Sequence, residues 1–286
     1  TLDSINNQTY PNIELVIMDD CSTDNSVNAM QAWINENDYD CQFIAHDENQ
    51  GLCKTLNEGL RLINGDYYQV LACDDIILPD KIQNQVTIFK NLDDNYAVVY
   101  SDAFLIDDNS QLLHGHFIQR HKPKMLKVPT GDVYNELILS NYIPAMSVLI
   151  RTDLVKKKGS YDEQLSYEDY DLWLRLSKDY KFYFSNYTSC KYRIHDTNMH
   201  KSKDHLEKEL SNLFIMFFKH RDNANALKKL KNLIIFMYKN KMYSDYKKEI
   251  LSIELNSKMA FFIKNDINFQ NYKFFSKVKK TLKNFK

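Results

Sequence analysis

The chain has 286 residues, a net charge of −1, and apolar and charged fractions typical of a globular protein. This length is enough for one large domain with an appendage, or for two small domains. Its five cysteines are scattered, odd in number and without a CxxC pair. That pattern argues against a disulfide framework or a structural zinc site and favours a reducing, cytoplasmic setting. No apolar run reaches about 18 residues, so no membrane-spanning helix is predicted.

The small net charge conceals two parts of opposite sign. Residues 201–286 carry a net charge of +12, whereas residues 1–200 carry −13. An acidic front part is a poor binder of nucleic acid, so we expect no nucleic-acid partner. An acidic domain suits a protein that binds phosphate groups through a metal ion.

The first hundred residues alternate between predicted strands and predicted helices. Apolar runs that end in polar turns predict strands at 13–18, 41–46, 67–72 and 96–100. Apolar residues at helical spacing predict helices at 27–34, 52–62 and 79–90, with Ser22 or Asp24 capping the first. This alternation is typical of an α/β domain with a largely parallel sheet.

The middle of the chain is less regular, and its last third has a helical pattern. We predict a loop at 119–132, a strand at 146–151, a helix at 172–178 and a strand pair at 182–192. Amphipathic patterns predict helices at 206–220 and 227–240, and the rest to residue 286 is also predicted helical. The sequence therefore divides into an α/β domain at 1–200 and a helical region at 201–286.

Pairs of acidic residues follow two of the predicted strands, where ligands of open α/β sheets bind. Asp19 and Asp20 follow the first, and could accept hydrogen bonds from a base or a ribose, or simply form a turn and helix cap. Asp74 and Asp75 follow the third, where two adjacent carboxylates beside an apolar strand are costly without a counter-ion. Mg²⁺ or Mn²⁺ would relieve that cost and bridge a diphosphate, although solvated loop acids explain the pair equally well.

Two later groups of polar residues also carry chemistry. Glu168 and Asp169 stand at the start of a predicted helix, where acids either complement the helix dipole or supply a general base. Arg193 and His195 follow a predicted strand, where they could contact a phosphate or a metal or be structural. Local pattern does not choose between these alternatives.

Four segments together resemble an inverting family 2 glycosyltransferase of the GT-A fold, over roughly residues 1–200. They are NQTYPNIELVIMDDCSTDNS (7–26), DENQGLCKTLNEGL (47–60), GDYYQVLACDDIILPDKI (65–82) and GSYDEQLSYEDYDLWLRL (159–176). The resemblance implies a Rossmann-like, mostly parallel central sheet flanked by helices. It also implies a hexosyltransferase-type reaction that moves a sugar from a nucleoside-diphosphate donor, UDP by family habit, to a glycan or lipid-linked acceptor in bacterial surface-polysaccharide synthesis.

The resemblance also assigns roles to the acidic pairs. It implies that Asp20 contacts the nucleotide base with Asp19 beside it, and that Asn57 lies in a helix that runs past the nucleotide. Asp74 and Asp75 match the family's metal-binding acids, and Asp74 is also a candidate contact to the nucleotide-sugar. The resemblance leaves open which of the two binds the metal and which the ribose. Mn²⁺ or Mg²⁺ is the implied cofactor.

The remaining implied roles fall near the end of the resemblance. Asp169 matches the catalytic base, with Glu168 as its neighbour near the acceptor. His195 matches a further metal or diphosphate contact, and the nearby Arg193 is a candidate contact to the nucleotide-sugar. An inverting transfer needs one base and, on the opposite side of the sugar, neutralisation of the departing diphosphate, which suits acids from distant parts of the chain.

The sequence departs from the family pattern at two places. Ala72 stands where the usual Asp-x-Asp motif has its first acid. The family's opening strand is absent, so we expect a further segment carrying that strand before Thr1.

Rival classes have weaker support. A nucleotidyltransferase usually has a basic glycine-rich loop near its N-terminus, and this sequence, with six glycines in total, has no such loop. A dehydrogenase would need a GxGxxG motif after its first strand, and these residues contain none. A catalytically inactive binding module would not need both the Asp74–Asp75 pair and Asp169. The basic, aromatic stretch 272–286 could lie on an anionic membrane, which would place a cytoplasmic enzyme at the inner face of the cell membrane, or could be a packed terminal helix.

Overall fold

A computed structural model describes residues 1–166, 168–195, 203–255 and 257–267. The chain forms two compact units, Thr1–Lys201 and Ser202–Lys286. Each unit is described by itself below.

The first unit alternates strands and helices along most of its length. Its strands are β1 (Val16–Asp19), β2 (Gln42–Ala45), β3 (Tyr67–Tyr68), β4 (Ile76–Ile77), β5 (Tyr96–Tyr100), β6 (Ala103–Ile106), β7 (Leu112–His116), β8 (Leu149–Arg151), β9 (Lys181–Phe184) and β10 (Cys190–Arg193). Its helices are α1 (Leu2–Asn6), α2 (Ser26–Asn37), α3 (Leu52–Leu62), α4 (Lys81–Phe89), α5 (Phe117–His121), α6 (Tyr134–Leu139), α7 (Thr152–Lys157) and α8 (Asp169–Ser177).

These strands form three sheets. The parallel pair β1–β2 forms one, and the others have the strand orders β4-β10-β6-β7 and β3-β8-β5-β9. Strands β6 and β10 pair in parallel, as do β5 and β9, whereas β4–β10, β6–β7, β3–β8 and β5–β8 are antiparallel. The α/β class with flanking helices is confirmed, but the pairing is mixed rather than mostly parallel. Short connections such as the turn between β6 and β7 reverse the chain, and reversal produces antiparallel neighbours.

The core of the first unit lies around β5. Val98 and Val99 of β5 and Ile150 of β8 are almost fully buried, and each of these two strands has a neighbouring strand on both sides. Lys81 of α4 is also fully buried, and its Nζ donates to Gln85 Oε1 at 2.7 Å, to the Val148 carbonyl at 3.0 Å and to a third acceptor, the Gln69 side chain. Burial lowers the pKa of Lys81 to about 8.

The predicted elements match the observed ones best where the pattern is strongest. Helix α3 and strand β5 have the predicted bounds, whereas the strand predicted at 67–72 ends at Tyr68. Helix α5 begins before the predicted loop at 119–132 and occupies its start. Asn25 precedes α2 as its cap residue, in place of Ser22 or Asp24, although Asp24 Oδ1 accepts from the Ser26 N–H at 2.9 Å.

The regular elements of the second unit, among the described residues, are helices joined by short turns. It contains α9 (Lys203–Lys219), α10 (Ala224–Lys239), α11 (Lys247–Ser252) and α12 (Ser257–Lys264). Asn223 caps α10, because its Oδ1 accepts from the backbone N–H groups of Asn225 at 2.9 Å and Ala226 at 3.2 Å. Among the described residues, no helix combines the length and the apolar character needed to cross a bilayer. The predicted membrane-surface stretch 272–286 lies outside the described residues.

Candidate active site

The acidic pair Asp74–Asp75 is positioned by the pairing of β4 with β10. Ile76 pairs with Lys191 and Ile77 with Cys190 in antiparallel register. Continuing that register by two residues brings Arg193 opposite Asp74. The sheet therefore brings together residues that are more than a hundred positions apart in the sequence.

Arg193 and His195 both contact this pair. The Arg193 N–H donates to Asp75 Oδ1 at 3.1 Å, and its Nε donates to the Asp74 carbonyl at 2.9 Å. Its Nη1 donates to the Asp107 carbonyl at 2.8 Å, so the guanidinium fastens the acidic loop to the turn after β6. His195 Nε2 lies 3.0 Å from Asp74 Oδ2. The structure thus brings four predicted site residues together, with Arg193 contacting the loop backbone.

The chemistry of these side chains fits a divalent cation. Asp75 is 3% exposed, and burial together with the charge of Asp74 raises the pKa of its carboxyl to about 7. A bound cation would remove that electrostatic cost. Two carboxylates and an imidazole are ligands that Mn²⁺ accepts. Within the described part of the chain, no group of three or more such side chains is already arranged to hold a metal, so diphosphate and water would have to complete the coordination.

Asp19 is the last residue of β1 and Asp20 follows it, close to the predicted end of this strand, but both carboxylates already have backbone partners. Asp19 Oδ2 accepts from the Ser22 N–H at 2.8 Å. Asp20 accepts from the N–H groups of Gln50 at 2.7 Å and Gly51 at 2.8 Å, which begin the turn into α3. Burial works against ionisation of Asp20, but these hydrogen bonds outweigh it and lower the pKa of its carboxyl.

His46 lies between two carboxylates at the end of β2. Its Nδ1 is 3.0 Å from Asp20 Oδ1, and its Nε2 is 3.0 Å from Glu58 Oε2 on α3. The hydrogen bond with Asp20, supported by Glu58, raises the pKa of His46. Since both ring nitrogens face carboxylate oxygens, the doubly protonated imidazolium satisfies both contacts.

Asn57 fastens α3 to the segment that precedes α8. Its Nδ2 donates to the Tyr161 carbonyl at 3.0 Å and to Glu163 Oε1 at 2.9 Å, while its Oδ1 accepts from the Tyr161 N–H at 2.9 Å. The side-chain amide is buried, and both its nitrogen and its oxygen are hydrogen-bonded within the protein. The geometry therefore gives Asn57 a role in positioning the segment before α8.

Glu168 and Asp169 stand at the N-terminal end of α8. Asp169 Oδ2 accepts from Asn141 Nδ2 at 3.0 Å. Both acids line a small crevice with apolar walls from Val70, Ala145, Val148 and Ile150, together with Tyr161 and Trp173. Burial and the charge of Asp169 raise the pKa of Glu168 to about 7. An ionisable pair beside apolar walls is the setting in which a carboxylate acts as a general base.

The family model described as Glycosyl transferase family 2 matches residues 1–155, which is more than half of the chain. The chain belongs to glycosyltransferase family 2. The match includes Asp19, Asp20, Asn57, Asp74 and Asp75. It ends before α8, so the assignment of Asp169 depends on the local motif and its geometry.

Curated relatives carry glycosyltransferase names. An uncharacterized glycosyltransferase of Rickettsia typhi is 34% identical over 199 residues, covering 68% of this chain and 59% of the relative. The amylovoran biosynthesis glycosyltransferase AmsE of Erwinia amylovora is 30% identical over 176 residues, covering 61% of this chain and 62% of AmsE. The chain therefore spans less than two thirds of each of these relatives.

Solved structures support the same fold. The mannosyltransferase PcManGT from Pyrobaculum calidifontis, solved with GDP-Man and Mn²⁺, is similar with a TM-score of 0.56 and 17% identity, covering 83% of this chain and 64% of that one. S. aureus TarS, solved with UDP-GlcNAc, is similar with a TM-score of 0.62 and 16% identity, covering 93% and 75%. At this identity the likeness establishes the GT-A fold of the family 2 chain.

Two residues of the candidate site were not predicted from the sequence. His46 is the last residue of the strand predicted at 41–46 and directly follows the observed β2, but a lone histidine carries little weight by itself. Asn141 lies beyond α6, which was not predicted, and no local pattern connects it with Asp169. Only the tertiary structure brings that pair together.

Proposed function

We propose that this chain transfers a sugar, with inversion, from a nucleoside-diphosphate donor to a hydroxyl group of a glycan or lipid-linked acceptor. Membership of glycosyltransferase family 2 supports the reaction class. UDP as the nucleotide is supported by the fold similarity to TarS, solved with UDP-GlcNAc, although the other neighbour was solved with GDP-Man. A role in surface-polysaccharide synthesis is supported by the relative named for amylovoran biosynthesis.

One observation carries the proposal: the segment 70–75 joins the two acidic clusters. Val70 lines the crevice that holds Asp169, and Asp74 follows only four residues later. A chain extends by at most about 3.5 Å per residue, so the Cα atoms of Val70 and Asp74 are no more than about 14 Å apart. The acidic pair therefore lies within about 14 Å of a residue that lines the crevice of the base, which suits the two ends of one glycosyl transfer.

In the proposed reaction, each acidic cluster has a separate role. Asp169 takes the proton from the acceptor hydroxyl, and Glu168 lies beside it in the same crevice. Asp74, Asp75 and His195 would hold Mn²⁺ or Mg²⁺, which supplies positive charge for the departing diphosphate. Asp19 and Asp20, at the end of β1, face the nucleotide end of the donor, where Asp20 also orders the turn into α3.

The setting of the enzyme is part of the same proposal. We expect it in the cytoplasm at the inner face of the membrane, because lipid-linked acceptors are presented there. The basic stretch 272–286 would provide the contact, and its charge and aromatic residues support that role. Binding of the chain to anionic vesicles, with and without residues 272–286, tests this part of the proposal; equal binding would refute it.

A transfer assay tests the reaction. Wild-type protein and the variants D169N and D75A would be compared with UDP- and GDP-sugars in Mn²⁺, with donor hydrolysis as the readout where no acceptor is known. Loss of a general base lowers kcat by about 10²–10⁴-fold, and D169N should fall in that range. D75A should be inactive. The exposed Asp40 provides a matched control, since D40N changes a carboxylate remote from both clusters in the sequence and should keep wild-type activity.

Metal removal completes the test. Chelation with EDTA should abolish turnover in the wild type and D40N, and added Mn²⁺ or Mg²⁺ should restore it. Full activity of both D169N and D75A would overturn the site assignment. The absence of turnover with every nucleotide-sugar in the panel would overturn the proposed reaction.

A further inference from the structure

The amide of Asn141 is fixed in orientation against the Asp169 carboxylate. Asn141 Oδ1 accepts from the Ile143 N–H at 3.2 Å, so its nitrogen must point the other way. That nitrogen donates to Asp169 Oδ2 at 3.0 Å. The two contacts use opposite ends of one amide, and reversing it would place an oxygen against a carboxylate.

The segment that carries Asn141 is itself held against the start of α8. The Tyr170 hydroxyl donates to the Leu137 carbonyl of α6 at 2.6 Å, and α6 ends two residues before Asn141. The Tyr170 N–H also lies 2.6 Å from Asp169 Oδ1. Each oxygen of the Asp169 carboxylate therefore has a defined donor.

The carboxyl of the neighbouring Glu168 has a different environment from that of Asp169. Glu168 lies in the same crevice, but within the described residues no side-chain amide donates to its carboxylate. Two adjacent, largely buried carboxylates resist simultaneous ionisation, so they share one proton near neutral pH. The raised pKa of Glu168, caused by burial and by the charge of Asp169, agrees with that arrangement.

We propose that Asn141 is a positioning residue that orients Asp169 and keeps it, rather than Glu168, the ionised member of the pair. This inference rests on the proposed function, since it explains how the base of that reaction is selected. A hydrogen bond from a neutral amide stabilises the ionised form of its acceptor, and only Asp169 receives this bond from Asn141. The shared proton then resides on Glu168.

The other titratable groups around the pair do not compete for this proton. Burial raises the pKa of the four nearest phenols and thiols, so they are neutral at pH 7: Cys53, Tyr68, Tyr161 and Tyr170. Among the charged groups nearby, Asp171 pairs with Arg175 at 2.7 Å. The carboxylates Asp162 and Glu163, on the segment before α8, act on Cys53. Among the side chains that line the crevice, proton exchange near neutral pH is therefore confined to the two carboxyls.

The test is the pH dependence of kcat in two variants of Asn141. N141D keeps an oxygen for the Ile143 N–H but replaces the amide donor with a carboxylate that faces Asp169. N141L removes both contacts at similar size. A hydrogen bond to a charged group corresponds to about one pKa unit or more, so the acid limb of the profile should move up by about one pH unit in N141L. The shift should be larger in N141D, with the donor KM unchanged.

A control variant distinguishes the orientation of Asp169 by Asn141 from a general loss of stability at the start of α8. Y170F removes the contact between α8 and α6 without removing an amide donor, so its acid limb should match the wild type even if its melting temperature falls. Thermal melts identify which variants fold, and one folded Asn141 variant is sufficient for the comparison. A wild-type acid limb in a folded N141D or N141L, or the same shift in Y170F, would overturn the proposal.

The outcome for Asn141 can be told apart from that of the proposed function. If D169N retains full activity, the assignment of the base fails and the proposed mechanism with it. If D169N is inactive but the Asn141 variants keep the wild-type acid limb, only the positioning role is refuted.

Discussion

Replacement of Asn57 distinguishes a positioning role from direct contact with the nucleotide. N57A deletes three hydrogen bonds, two to the backbone of Tyr161 and one to Glu163. At about 1 kcal/mol for each bond, the free energy of unfolding should fall by about 3 kcal/mol. Tyr161 is buried, so water cannot fully replace the lost partners and the loss should not be much smaller.

Urea unfolding followed by tryptophan fluorescence measures this loss in the relevant unit. The two tryptophans, Trp33 and Trp173, both lie within Thr1–Lys201. Asn49 is a matched control, because its exposed amide makes a single bond to the Asp20 carbonyl at 3.0 Å, and N49A should change stability by less than about 0.5 kcal/mol. If N57A unfolds like the wild type and instead raises only the donor KM, Asn57 contacts the nucleotide and the reasoning from its amide is wrong.

Two further predictions concern pH and stability. The hydrogen bond with Asp20, supported by Glu58, raises the pKa of His46 above 6.5, so the stabilisation is fully present below pH 6.5 and is lost as pH rises through the folded-state pKa. H46Q should therefore be less stable than the wild type at pH 6, and urea unfolding should show a smaller difference at pH 9; a constant difference would contradict this. Burial lowers the pKa of Lys81 from 10.5 to about 8, so the cost of its buried charge disappears as pH rises between those values. The stability of the wild type relative to K81M should increase by about 2 kcal/mol from pH 7 to 9.5, and a flat difference would show that Lys81 does not titrate there.

The fold could be predicted where local pattern and tertiary environment agree. Helix α3 has apolar residues at helical spacing and begins after Gly51, and the apolar run of β5 lies inside a sheet. The predicted and observed elements differ where contacts with distant residues decide the backbone conformation. The apolar stretch after Tyr68 leaves the sheet, and Gln69 instead meets the buried Lys81, which no periodicity in the sequence indicates.

The candidate site divides in the same way. Acids at the end of an apolar run can be recognised in the sequence, and this signal gave Asp20 and the Asp74–Asp75 pair as candidates. Asp20 does follow β1, whereas β3 ends at Tyr68 and the acidic pair directly precedes β4. Contacts between distant segments could not be found, since Asn141 meets Asp169 only after α6 packs near α8. The sequence also indicated that Asn57 lies near the nucleotide, whereas its amide is used within the protein.

Ala72, which replaces the first acid of the usual Asp-x-Asp motif, contributes to the acidic loop through its backbone. Position 72 contributes its carbonyl to the turn, accepting from the Asp75 N–H at 3.3 Å, and this bond does not depend on the side chain. The loop is instead held by Arg193, whose backbone and side chain contact both acids from the opposite strand. Loss of the first acid therefore removes one ligand candidate but leaves the conformation of the loop intact. His195, 3.0 Å from Asp74, stands where it could supply a ligand in its place.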